Sequence, residues 1–298
     1  MRFAAIDIGS NAIRLLIEES VVLTKDDYYF KKISLTRIPI RLGKDVFSKG
    51  FITKKSEKKL VQAFKAFKLL MKINEVHFYR ACATSAMREA TNGNDICQSI
   101  LKETNINLEI ISGKEEAKLI FSNFHLSSID ASKNYVFIDV GGGSTELSLI
   151  ENNIKTSSKS FRIGSVRYLT GKEADDVKLQ MKLWLKENYT KSDEIRAIGT
   201  GGSINKLYNI SKHDFNAPMT YQSLCNIIDH ISNYNYEDRI RILKLKPDRA
   251  DVIIPSGEIY KMVMQSTGAN EIIVPKVGLS DGIIYNLFLD KELSHLND

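Results

Sequence analysis

Twice in this chain a short apolar run ends in an aspartate, turns through glycine and resumes as a second run: Ile6-Asp-Ile-Gly-Ser-Asn11 and Ile138-Asp-Val-Gly-Gly-Gly-Ser-Thr145. Each reads as strand, tight turn, strand. Two α/β halves that begin alike predict a duplicated fold with a cleft between the halves. The 298 residues are enough for two domains of ordinary size.

The pattern around each motif supports this reading. Phe3 to Ile8, Ile13 to Glu18 and Tyr28 to Thr36 read as a β-meander, and Ser56 to Ile73 has helical spacing through Leu60, Val61, Phe64, Phe67 and Met71. A strand follows at Val76 to Ala83, then helices at Thr84 to Ala90 and Asp95 to Glu103, a strand at Leu108 to Ile111 and a helix at Gly113 to Leu126. The pattern restarts with a strand at Tyr135 to Val140 and a hairpin turn within Ile150-Glu-Asn-Asn-Ile154. A helix spans Ala174 to Tyr189 and a strand Ile195 to Ile198. The remainder reads as helical, interrupted by Pro247 and Pro255, with a last strand at Glu271 to Val274. The boundary is expected in 125–133.

Composition narrows the setting. Hydrophobic residues make up 43% and charged residues 26%, and the formal charge is +6. Such an excess draws in anions, although a solvated Lys-rich surface gives the same number. No run reaches the ~20 apolar residues of a membrane helix, and Asp7 interrupts the N-terminal run, so no leader peptide is expected. Cys82, Cys97 and Cys225 have no CxxC spacing and suggest neither disulfides nor zinc. The expectation is a cytosolic protein with neither a nucleic-acid nor a membrane partner.

Several segments could carry chemistry. In Asp139-Val-Gly-Gly-Gly-Ser-Thr-Glu146 the glycines Gly141, Gly142 and Gly143 clear side chains from a turn. Its backbone N–H groups and the hydroxyls of Ser144 and Thr145 can then converge on an anion. Asp139 and Glu146 are hard oxygen ligands suited to Mg²⁺ near phosphate. The shorter turn through Gly9, Ser10 and Asn11 offers similar donors, and Asp7 could hold a metal-bound water. In Arg80-Ala-Cys-Ala-Thr-Ser-Ala-Met-Arg88, Thr84 or Ser85 can cap a helix, and Arg88 either reaches an oxyanion or is a surface arginine. Ser112 and Glu115 have capping-box spacing, in which Glu115 reaches back to the Ser112 N–H. Glu116 lies about 100° further round the helix, so it is either a catalytic group or a partner of the helix dipole. Gly199-Thr-Gly-Gly-Ser203 either approaches a nucleotide or closes a strand onto a helix.

Taken in order, Phe3-Ala-Ala-Ile-Asp-Ile-Gly-Ser-Asn11, Ala83-Thr-Ser-Ala-Met-Arg-Glu-Ala90, Ile111-Ser-Gly-Lys-Glu-Glu-Ala117 and Phe137-Ile-Asp-Val-Gly-Gly-Gly-Ser-Thr-Glu-Leu147 resemble the signature segments of the exopolyphosphatase/guanosine pentaphosphate phosphohydrolase family. Gly199 to Ser203 and Arg249-Ala-Asp251 resemble its second domain. The resemblance implies an α/β fold of two ribonuclease-H-like domains of the acetate/sugar kinase–hsp70–actin type around a central cleft. The first would span 1–125, joined by a C-terminal helix at about 283–298, and the second 126–282. It implies Mg²⁺-dependent removal of terminal phosphate from inorganic polyphosphate or guanosine pentaphosphate. By position Glu116 matches the proposed base, and the catalytic role expected of Arg88 is to neutralise charge on the departing phosphoryl oxygens. Asp139 and Glu146 match carboxylates at the metal site, and Gly141 to Ser144 match the main phosphate loop, with Gly9 to Asn11 as its partner. A homodimer is also implied.

This sequence departs from the family pattern where Ala12 replaces a serine and where Pro275-Lys-Val-Gly-Leu-Ser-Asp-Gly282 lacks an arginine. It also lacks the C-terminal HD-type domain of long members, and the expectation is therefore action on short or medium polyphosphates. Two other classes stay open on the same fold: an ATP-dependent kinase, and a non-enzymatic actin-like or polyphosphate-binding protein.

Overall fold

The computed structural model describes residues 1–24, 27–122, 130, 132–152, 154–170, 174–189, 194–211 and 217–293. Most of the expected boundary segment 125–133 lies outside these, as does Asn153 of the expected hairpin turn. The chain divides into two compact units, Met1–Leu126 with Val277–Asp298, and Ser127–Lys276.

The first unit runs β1 (Arg2–Ile8), β2 (Ile13–Thr24), β3 (Asp27–Ile38), α1 (Leu42–Lys49), α2 (Lys54–Ile73), β4 (Phe78–Ala83), α3 (Ser85–Glu89), α4 (Gly93–Thr104), β5 (Leu108–Ile110) and α5 (Gly113–Ser122). Helix α2 forms where the apolar spacing requires it. Leu60, Phe64, Phe67 and Met71 are buried on one face, and the Thr53 hydroxyl accepts from the Ser56 N–H at the N-terminus. The second unit runs β6 (Asn134–Val140), β7 (Thr145–Glu151), β8 (Ile154–Phe161), α6 (Ser165–Tyr168), α7 (Ala174–Asn188), β9 (Ile195–Thr200), α8 (Gly202–Ile210), β10 (Met219–Thr220), α9 (Tyr221–Ser232), α10 (Tyr236–Arg241), α11 (Pro247–Ala250), α12 (Ile253–Thr267) and β11 (Glu271–Ile273). The chain then returns to the first unit with α13 (Leu279–Phe288) and a π-helical turn, Leu289–Leu293.

The two sheets repeat one plan. The first has the order β3-β2-β1-β4-β5 and the second β8-β7-β6-β9-β11-β10. In each, the opening strand pairs antiparallel with the next and parallel with a later one. The expected pair of ribonuclease-H-like α/β domains is therefore present. The register makes their opening motifs equivalent: Asp7 lies opposite Arg14 and Cys82, and Asp139 lies opposite Glu146 and Thr200.

Helix α13 covers the face of the first sheet that carries Phe3. The Phe288 ring packs 6.3 Å from Phe3, 4.7 Å from Tyr28 and 5.2 Å from Phe30, centroid to centroid. A charged cluster sits beside these rings. Lys32 Nζ lies 3.9 Å from Glu18 and 3.8 Å from Asp281. Burial, and then the Asp281 charge, push the Glu18 carboxyl up to about 7 against the opposing pull of Lys32. Burial likewise raises Asp281.

A folded-state pKa above the unfolded value of 4.5 means that the native state holds a proton the unfolded chain has released. Glu18 therefore makes stability fall as pH rises from 4.5 to about 7 and leaves it level above that. Each pH unit in the window costs about 1.4 kcal/mol. Thermal melts at pH 5.5 and pH 8 should show the drop in the parent protein and a smaller one in Glu18→Gln. An identical drop in both would remove Glu18 from the account.

Candidate active site

In the second unit, Asp139 and Glu146 are buried and directly opposed on neighbouring strands. Asp139 Oδ1 accepts from the Thr200 hydroxyl at 2.5 Å, and Glu146 Oε1 accepts from the Ser160 hydroxyl at 2.9 Å. Tyr260 of α12, also buried, donates to the Thr200 carbonyl and accepts from the Val140 N–H at 3.3 Å. Burial, followed by the Asp139 charge, holds the Tyr260 phenol well above its usual pKa. The Gly199–Ser203 segment closes β9 onto α8. Gly201 has φ +111°, and a Cβ there would sit 3.0 Å from the Val140 carbonyl, so glycine is required.

The turn between β6 and β7 is tied down through its carbonyls. Ser165 N–H donates to Gly141 O at 2.9 Å, Val166 and Arg167 N–H donate to Gly142 O at 2.8 and 3.0 Å, and Arg167 Nε donates to Gly143 O at 2.7 Å. The Thr145 hydroxyl donates to Ile163 O at 2.6 Å. In this structure that proton anchors the covering segment. Ser144 is buried, and its carbonyl accepts from Gly141 N–H at 3.0 Å.

In the first unit the equivalent turn is held in the same way. Gly9 N–H donates to Ala12 O at 3.1 Å, and Gly43 and Arg41 N–H donate to Ser10 O and Asn11 O at 2.8 and 3.0 Å. The Ser10 hydroxyl is buried and shares a hydrogen bond of 2.9 Å with that of Ser85, in which either can donate. Asp7 Oδ2 accepts from Arg14 at 2.6 Å, so its charge is balanced by the arginine across the strand pair. The equivalent aspartate of the second unit faces a carboxylate instead.

Two arginines hold the start of α5. Arg88 Nη1 donates to Ile111 O at 2.6 Å and lies 3.5 Å from Glu116 Oε2. Thr84 precedes α3 but spends its hydroxyl on Ile8 O at 3.2 Å, so neither it nor Ser85 caps that helix. Ser112 Oγ accepts from the Glu115 N–H at 3.1 Å, which is half of the expected capping box. The other half is corrected: Glu115 Oε1 bonds Arg80 Nη2 at 2.6 Å. Glu116 is buried.

A profile of the Ppx/GppA phosphatase family matches residues 21–291. The chain belongs to the Ppx/GppA phosphatase family. A bifunctional 3-dehydroquinate synthase/phosphatase of Fusobacterium nucleatum is 30% identical over 91% of this Ppx/GppA chain, which spans only 44% of that relative's length. Exopolyphosphatase 1 of Mycobacterium leprae is 23% identical over 95% of this chain and 88% of its own. The crystal structure of an exopolyphosphatase from Cytophaga hutchinsonii matches with a TM-score of 0.83 at 23% identity, covering 98% of this chain and 99% of that one. This last likeness speaks for the fold.

Reading the sequence alone misses the segment Phe161-Arg-Ile-Gly-Ser-Val-Arg167 that buttresses the glycine turn of this Ppx/GppA chain. The signal was Gly164. A Cβ there would lie 2.6 Å from Gly142 C and Gly143 N and 2.8 Å from Gly141 O, all backbone atoms. Gly164→Ala must therefore displace the turn. It should cost about 1–3 kcal/mol of stability, as overpacking does, and about tenfold in phosphate release. Melts and assays on the purified variant check both, and unchanged values would mean that the turn yields without consequence.

Proposed function

We propose that this chain is a Mg²⁺-dependent phosphoanhydride hydrolase that releases terminal phosphate from inorganic polyphosphate or guanosine pentaphosphate. The observation that carries this reading is the opposed, buried pair Asp139 and Glu146 beside a glycine turn whose carbonyls are tied back. Like charges directly across a strand pair repel, and a divalent cation relieves that repulsion. Among the described residues no group of three or more His, Cys, Asp or Glu side chains could hold a metal. Two carboxylates completed by substrate oxygens and water suit Mg²⁺, which seldom takes an all-protein cage. When bound, the ion would supply positive charge to the phosphoryl oxygens.

The chain's own residues do the rest. With the turn's carbonyls occupied, the amides from Gly142 to Ser144 are the groups that receive phosphate. Glu116 orients a water and takes its proton. Arg88 holds Glu116 and the Ile111 carbonyl, and so keeps the base in place. The names of the relatives support phosphoanhydride substrates. The homodimer and the cytosolic location remain part of this proposal, with light scattering and cell fractionation as their checks. No helix among the described residues is long and apolar enough to cross a membrane.

The test is phosphate release from polyphosphate, guanosine pentaphosphate and ATP with Mg²⁺ present. Release without a hydroxyl acceptor supports hydrolysis. Transfer that requires an acceptor points to a kinase, and binding with no release points to a non-enzymatic protein; either overturns the proposal. With a net charge of +6, KM for polyphosphate should rise as salt goes from about 0.01 M to about 0.1 M and the screening length falls from ~30 to ~10 Å. A KM indifferent to salt would exclude charge-driven capture.

A further inference from the structure

Arg80, on β4, is spent on two carboxylates from two other elements. Its Nη2 bonds Glu109 Oε2 of β5 at 2.8 Å and Glu115 Oε1 of α5 at 2.6 Å, and its Nε reaches Glu109 Oε2 at 3.2 Å. A planar guanidinium fixes direction as well as charge, because its donors form a rigid fork. Arg88, which follows β4 on α3, takes the Ile111 carbonyl and stands 3.5 Å from Glu116. The short β5–α5 turn is thus gripped on both sides by arginines from one strand–helix unit.

Glu115 and Glu116 are consecutive, so any rotation of the first helical turn moves both. The Ser112 cap fixes the backbone at that turn but does not constrain the Glu115 side chain. We propose that Arg80, acting through Glu115, is a positioning residue for Glu116: its guanidinium pins the first turn of α5 to β4 and β5 and so fixes where the Glu116 carboxylate points. The proposal rests on the assignment of Glu116 as the base. Arg80 touches no reacting atom in this scheme.

The charges around Glu116 give the proposal a signature. Among the described residues, those facing the start of α5 include Arg88 from α3, Arg80 from β4, Glu109 from β5 and Glu115 itself. Helix α13, which also packs on α5, carries Asp281 and Tyr285, engaged with Lys32 and Tyr28. Arg80→Gln removes a cation and leaves the Glu115 charge beside the base, so the acid limb of kcat/KM should move to higher pH. Glu115→Gln removes the anion and leaves Arg80, so the limb should move to lower pH.

The experiment measures kcat, KM, pH profile and melting temperature for Arg80→Gln, Glu115→Gln, the double variant and Glu116→Gln, using Mg²⁺ and polyphosphate. Each single variant should lose about tenfold in kcat, with KM changed less than about twofold. The double variant should be no worse than Arg80→Gln, because that single change already removes the Arg80–Glu115 interaction. Glu115 is partly exposed, so its variant keeps the test open if Arg80→Gln fails to fold. Unchanged kcat and unmoved limbs, or a lower melting temperature alone, overturn the positioning role. If Glu116→Gln keeps parental turnover, the base assignment fails instead.

Discussion

Glu116→Gln should lower turnover by roughly 10²–10⁴, the range for loss of a general base, with the melting temperature and substrate affinity close to those of the parent. The amide keeps the shape of the side chain and its reach to Arg88, 3.5 Å away, but it cannot accept a proton. Glu115→Gln is the control on the adjacent position, and its smaller loss comes from a different cause, the broken contact with Arg80 at 2.6 Å. Side-by-side kcat and melting measurements decide between them. Equal losses at the two positions would mean that the helix start is disturbed as a whole and that the base lies elsewhere.

Asp139→Asn should cost on the order of 10²–10³ in turnover, the scale for removing one charge-stabilising group. Its effect on stability should be opposite in sign. Without metal, the variant no longer sets two buried carboxylates against each other across β6 and β7, so its melting temperature should be equal to or above that of the parent. Adding Mg²⁺ should raise the parent's melting temperature by linkage and leave the variant's where it was. Full activity in EDTA or in the variant, or equal Mg²⁺ stabilisation of both proteins, would remove Asp139 from the metal site.

Much of the fold is legible in the sequence because it is written in local periodicity. The apolar runs that contain Asp7 and Asp139 and the helical stripe from Leu60 to Met71 mark elements that the structure contains. Helix α1 and the buttress from Phe161 to Arg167 are not legible. Their roles depend on contacts with Ser10 and with the glycine turn, which no local pattern encodes. β2 runs on to Thr24 through an irregularity between Ile17 and Glu18 that breaks the alternation. At the candidate site the sequence reveals residue types but not pairings. Asp7 and Asp139 look alike in their motifs, and only the strand register shows an arginine across from one and a glutamate across from the other. Glu115 fits a capping box by spacing, yet Arg80, distant in sequence, takes it.

The return of α13 to the first sheet has a consequence for the order in which the protein can be made. Phe3, Tyr28 and Phe30 emerge early in synthesis, but the ring that covers them, Phe288, is encoded after the whole of the second unit. The second unit is continuous in sequence, so it can close while the first still lacks one of its packing layers. An apolar face of the first sheet must therefore wait, uncovered, through the synthesis of some 150 residues at about 5–20 residues per second. That interval is when a nascent chain of this kind is most exposed to aggregation and has most to gain from a chaperone.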